Sequence, residues 1–98
     1  MSNEEVRHDY LNRLGDASES ALWVCAADKL HNANSVIADI QRTIEPGIIW
    51  SRFKAGKEGT VWWYRAVYSR LQEVGFQAPI MPELKRTVER LEELGRAS

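Results

Sequence analysis

The chain has 98 residues, the size of one small domain, which buries a limited share of its surface and so needs either an efficient core or a partner that covers part of it. Its 13 Lys+Arg against 14 Asp+Glu leave a net charge of −1 at pH 7; that balance supplies no long-range pull toward phosphate polymers or anionic lipid, and argues against a nucleic-acid polymer or a membrane surface as partner while leaving a small anionic ligand open. The single cysteine, Cys25, excludes an internal disulfide and fits no CxxC or CxxxH metal pattern, the segment MSNEEVRHD is polar, and no run approaches the ~18 apolar residues of a membrane span, so a soluble protein of the reducing cytoplasm is expected.

Helical signals dominate the chain. Ser2 and Glu5 have capping-box spacing, and Val6, Tyr10, Leu11 and Leu14 then share a stripe before Gly15, which predicts a short helix over about 3–14. Asp16 with Glu19 repeats the capping signal, and Leu22, Ala26, Leu30, Ala33, Ile37, Ile40 and Ile44 recur at three- and four-residue steps, predicting a long second helix over about 17–44 that Pro46-Gly47 ends. The segment 45–59, EPGIIWSRFKAGKEG, reads as the one substantial loop, punctuated by Pro46, Gly47, Gly56 and Gly59. A third helix over about 60–74 puts Trp63, Val67, Leu71 and Val74 inward and stops at Gly75; a fourth opens with Pro82 and Glu83 in its first turn, carries Leu84, Val88, Leu91 and Leu94, and closes at Gly95. No segment alternates with period two and no repeat or linker interrupts the chain. The fold class is therefore all-α, a single small bundle of about four helices.

One stretch of the second helix needs more explanation than stability gives. Ala27-Asp28-Lys29-Leu30-His31-Asn32-Ala33-Asn34 sets an acid, a base, an imidazole and two amides directly after the apolar run Ala21-Leu22-Trp23-Val24-Cys25-Ala26. At about 100° per residue the Leu22-Ala26-Leu30-Ala33-Ile37-Ile40 stripe lies roughly opposite Asp28, whose side holds Ala21, Cys25, Asn32 and Ser35. A helix apolar on nearly every side for two turns sits centrally in a bundle, so Asp28 and Asn32, one turn apart, are expected to look into a shared cavity. An acid in such a place calls for a cation or a hydrogen-bonding ligand.

The string Ala27-Asp28-Lys29-Leu30-His31-Asn32-Ala33 resembles the last metal-site motif of HD-domain phosphohydrolases, in the branch of RelA/SpoT-type guanosine tetraphosphate hydrolases. The similarity continues through Trp50-Ser51-Arg52-Phe53, Gly56-Lys57-Glu58-Gly59, Trp63-Tyr64-Arg65 and Glu83-Leu84-Lys85-Arg86, and reaches back to Tyr10-Leu11 and Leu14. The resemblance implies the C-terminal half of an all-helical HD fold and a metal-assisted phosphoester hydrolysis, commonly with manganese, in which two histidines and two aspartates from three helices hold the ion. It makes Asp28 the last metal ligand, and Asn32 a residue that helps hold the nucleotide. The family's earlier His and His-Asp motifs have no counterpart: His8-Asp9 spells the dipeptide but matches a non-ligand helix. One carboxylate is too few ligands for a catalytic ion, so no catalytic residue is assigned and a truncated HD-like domain, inactive alone, is expected.

Three readings follow. The first is a phosphohydrolase whose site another chain completes, with a divalent ion bound only then. The second is a catalytically incomplete helical module that buries the Asp28 face against a second copy or a helical partner, and it is preferred because an uncovered apolar strip of a few hundred Å² at ~25 cal/mol per Å² rivals the stability of a small domain. The third is a remnant that recognises a nucleotide through Asn32, Lys29 and the basic loop without hydrolysing it. Beside these, Cys25 reads as a small buried side chain, His31 as a packing or hydrogen-bonding residue, Trp50, Phe53, Trp62, Trp63 and Tyr64 as clamps of the loop on the core, and Lys85, Arg86, Glu89, Arg90, Glu92 and Glu93 as a solvated face with i to i+4 pairs.

Overall fold

The structure, a computed structural model, describes residues 3–97. It contains five helices and, among the described residues, no strand: α1 (Asn3–Arg13), a 3₁₀ turn (Leu14–Asp16), α2 (Glu19–Arg42), α3 (Pro46–Ser51), α4 (Gly56–Glu73) and α5 (Ile80–Ala97). The all-α bundle is as the hydrophobic periodicity predicts. The Ser2 half of the proposed capping box lies outside the described residues.

Helix α2 starts two residues later than expected, and Ser18 caps it instead of Asp16. Asp16 is taken up in the 3₁₀ turn, which the Ala17 N–H closes onto the Leu14 carbonyl at 3.3 Å. The chain then extends at Ser18, whose hydroxyl accepts from the Ala21 N–H at 3.2 Å. At the other end Thr43 leaves the helical region and its hydroxyl accepts from the Glu45 N–H at 3.3 Å, so the helix ends at Arg42 and Ile44 is thrown outward, 98% exposed. Pro46 does more than end α2. It sits at the start of α3, where a fixed φ suits a first turn and its missing N–H costs nothing, so the expected loop is in large part helix. Two turns around Arg52 and Phe53 lead to Gly56, whose φ of +69° starts α4 four residues before the predicted boundary.

Gly75 ends α4 as predicted, and the reason is visible: the Phe76 N–H bonds to the Leu71 carbonyl and the Gly75 N–H to that of Gln72, both at 3.1 Å, with Gly75 at φ +82°. This is a Schellman closure, and Phe76 folds into the core behind it. Helix α5 opens at Ile80, two residues ahead of Pro82, and it runs through Gly95 instead of stopping there. A Cβ on Gly95 would approach Val61 Cγ2 at 3.3 Å, so this glycine serves the close crossing of α4 and α5.

The core is the wedge where α2, α4 and α5 meet. Ala26 and Ala33 of α2, Val67 and Leu71 of α4, and Leu84, Val88 and Leu91 of α5 are wholly buried. The alanines let α2 approach α5 closely, and the large side chains come from the other two helices. Each buried leucine or valine removes apolar surface worth about 1.5–3 kcal/mol. Helix α1 lies over the α2–α4 groove and contributes less: Leu14 is buried, Tyr10 and Leu11 are partly buried, and Val6 remains exposed. The result is a slab, with extents of 41 × 33 × 18 Å.

Candidate functional site

The polar stretch of α2 lies where α1 crosses it. Lys29 is the organising side chain. Only 13% of it is exposed, because its stem runs under α1 and its ammonium lies over the Tyr10 ring at 5.1 Å and the Trp63 ring at 5.9 Å. Tyr10 and Trp63 meet edge to face at 5.5 Å, and the Arg7 guanidinium lies over Trp63 at 5.1 Å. Two cations therefore share one indole, an arrangement favoured by the ring quadrupole.

At its tip Lys29 meets Asp28, Nζ to Oδ2 at 3.0 Å, and the Asn32 amide donates to the same oxygen at 3.5 Å. The three expected site residues, Asp28, Lys29 and Asn32, are thus neighbours. The setting differs from the expected one. Asp28 is 55% exposed, so its carboxylate looks outward and has an ammonium for a counter-ion. No desolvated charge awaits a cation. The physical reason is that α1 tilts onto the Cys25–Lys29 side of α2 and leaves the line Val24, Asp28, His31, Ser35 uncovered.

On the covered side the Tyr10 hydroxyl donates to Cys25 Sγ at 3.0 Å. Burial pushes the Cys25 thiol up, against the lowering effects of that hydrogen bond and of Lys29. Tyr10 is raised strongly, by burial first and then by its bond to Cys25, and Tyr64 is raised by burial and by the negative charge of Asp28. All three groups stay protonated at neutral pH. Cys25 is the small buried side chain its position suggests, without an activating base.

As a metal centre this donor set does not fit. Asp28 supplies one carboxylate, already bridged to an ammonium, and among the described residues no three His, Cys, Asp or Glu side chains gather as ligands. His8 and Asp9 are engaged elsewhere: His8 tilts onto Trp62 at 5.8 Å and Asp9 pairs with Arg13 at 3.0 Å. His31 is exposed, and its carbonyl accepts from the Ser35 hydroxyl at 3.1 Å.

Other assignments need revision too. Trp50 and Tyr64 are buried, whereas Trp62 is 43% exposed, with its ring against those of His8 and Trp63. Glu92 does not belong to an intrahelical ladder. It takes both arms of Arg65, at 2.9 and 2.6 Å, which lowers its carboxyl and stitches α5 to α4. Sequence reasoning missed Tyr10 and Trp63 as partners of Lys29, and Arg7 as the second cation on Trp63. The signal was the recurrence of aromatic and cationic side chains at α1 and α4 positions that face one groove, which cannot be read before the helices are placed. The chain matches no protein-family model and no curated protein.

Proposed function

We propose that this chain is a small helical interaction module, catalytically incomplete on its own, that docks a second copy of itself through the outer face of α2. The observation that carries the reading is Val24: in the second turn of α2, the longest helix of the bundle, it is 68% exposed, with Trp23 beside it at 40%. Apolar groups on the central element of a bundle normally lie under a neighbour, and covering them recovers about 25 cal/mol for each Å² removed from water.

Charge selects the geometry. A parallel pairing sets Asp28 against its own copy. An antiparallel pairing in which residue numbers sum to 59 brings each Asp28 against the other protomer's His31 and each Val24 against Ser35, and a two-fold axis makes the contact twice. The test is size-exclusion with light scattering at micromolar concentration. Wild type runs as a dimer; Asp28→Lys and His31→Glu each shift it to monomer, and the double variant restores the dimer. A folded wild-type monomer, or a dimer indifferent to the swap, refutes the reading.

A second reading is favoured by the meeting of Lys29 and Asn32 on Asp28. In it the HD-like chain binds a nucleotide through Lys29 and Asn32, and Asp28 serves a divalent ion such as manganese only if another chain completes the site. A nucleotide-induced thermal shift that is lost in Asn32→Ala supports it, and manganese calorimetry with no heat from wild type or Asp28→Ala counts against the metal part.

A further inference from the structure

Among the described residues, six of the 13 Lys and Arg side chains meet a carboxylate within ion-pair distance. Arg13 pairs with Asp9, Lys29 with Asp28, Arg52 with Asp39, Arg65 with Glu92, Arg70 with Glu73 and Arg90 with Glu93. Arg7 and Lys54 are not in these pairs, and what sets them apart is their place. They come from different elements, α1 and the turn before α4, yet both line one cleft of about 470 Å³ together with Glu4, Ala55, Gly59 and the exposed Trp62. That volume lies within the range of small-molecule pockets.

The cleft is built, not incidental. Its floor exists because residue 59 is glycine: a Cβ there would stand 2.6 Å from that of Ala55 and push the turn off the first turn of α4. The Arg7 guanidinium is held in place, since its Nη1 donates to the Gly59 carbonyl at 3.3 Å while the group lies over Trp63. That bond uses one of five N–H donors and leaves a fixed fork at the cleft. Helix α4 begins there without a side-chain cap, so its first N–H groups add a positive field of the same sign. Trp62 supplies an apolar wall, its ring in tilted contact with His8 at 5.8 Å.

We propose that this cleft binds a small planar aromatic acid, with its ring along Trp62 and its single negative charge between Arg7 and Lys54. The sum of charges sets the class. Two cations against the Glu4 carboxylate leave one net positive charge, which suits a monoanion and disfavours a polyphosphate. Trp62 asks for a flat ring, since stacking and edge contacts on an indole reward planar partners over aliphatic ones. This site is separate from the α2 face and does not depend on dimer formation.

The probe is naphthoate, with the neutral naphthalenemethanol as its uncharged counterpart, titrated into the full chain while ¹H–¹⁵N correlation spectra are recorded. The Trp62 indole signal is identified by its loss in Trp62→Phe. Naphthoate is expected to shift that signal and the Gly59 amide in a saturable way, with at least about fivefold weaker binding of the alcohol and about fivefold weaker naphthoate binding by Lys54→Gln, the size of one solvent-accessible charge contact. Lys54 is exposed, so its replacement leaves the fold intact, and an unchanged spectrum outside the cleft verifies this. No saturable shift at millimolar naphthoate overturns the proposal. So does equal binding of the alcohol, or binding indifferent to Lys54→Gln, either of which reduces the cleft to a nonspecific apolar contact.

Discussion

Arg70→Ala should loosen α1 without unfolding the rest. Helix α1 has 11 residues, below the ~12–15 at which an isolated helix is even marginal in water, so its helicity comes from docking. Its apolar contribution is small, with one fully buried leucine at the adjoining 3₁₀ turn. Arg70 of α4 supplies the polar clasp: its Nε donates to the Leu11 carbonyl at 2.9 Å, near the end of α1, while its Nη1 pairs with Glu73 at 3.0 Å. A hydrogen bond from a charged donor to a part-buried carbonyl is worth about 1.5–3 kcal/mol, and the Glu73 pair, exposed on the carboxylate side, adds under about 1 kcal/mol. A loss of about 2 kcal/mol raises the local opening equilibrium roughly thirtyfold, since 1.36 kcal/mol is a decade. Native-state hydrogen exchange reads this directly. Amides of residues 7–13 should lose about thirtyfold in protection, while those of Val88 and Leu91 in α5 keep theirs. Unchanged protection in α1 would show that the clasp does not hold it. An equal loss in α5 would show that α1 and the wedge open as one unit, and either outcome refutes the reasoning.

Two further perturbations probe the wedge itself. Leu84 is wholly buried between α5 and its neighbours, so Leu84→Ala should cost about 3–4 kcal/mol, seen as a lower urea midpoint at unchanged slope; a cost under about 1 kcal/mol would mean the core collapses around the gap. Glu92 titrates below the ordinary carboxyl value of 4.5 because Arg65 donates two hydrogen bonds to it. A lowered folded-state value contributes stability above the unfolded value and loses it as pH falls through the folded one. Glu92→Gln should therefore destabilise by about 1 kcal/mol at neutral pH, with the difference from wild type closing below pH 4.5; a difference constant from neutral to acid pH would exclude the ion pair as its source.

How far residues alone reveal this molecule depends on whether the cause is local. Gly75 was readable because a Schellman closure is made of six consecutive residues, with the glycine where φ must be positive. Gly95 looks the same in sequence and does the opposite, since its cause is Val61 on another helix. The buried stripes of α2, α4 and α5 followed from three- and four-residue spacing, whereas Ile44 shares that spacing and points to solvent because Thr43 ends the helix one residue before it. The segment 45–59 looked like loop because its punctuation, Pro46-Gly47 and Gly56, marks helix starts as well as helix ends. For the candidate site, periodicity put Asp28 opposite the core correctly, and the direction of its surroundings was lost because the tilt of α1 decides which flank of α2 stays open.

That tilt also explains why acid, base and amide follow an apolar run. Helix α1 is polar and short, so the flank of α2 beneath it cannot be another leucine surface without leaving apolar area uncovered at the rim. A lysine solves the problem by atoms. Its methylene stem packs under Tyr10 and against Trp63, its ammonium is stabilised by both rings, and its end emerges beside Asp28, where water and the carboxylate share the charge. Cys25, one turn earlier, fills the narrower end of the same groove and accepts the Tyr10 hydroxyl that burial would otherwise leave without a partner. The polar stretch is thus part of how α1 is seated, and Asp28 is where that seat reaches the surface. A ligand or a second copy that engages Asp28 would bear through Lys29 on Tyr10 and so on α1, which couples the open face of α2 to the least firmly held element of the fold.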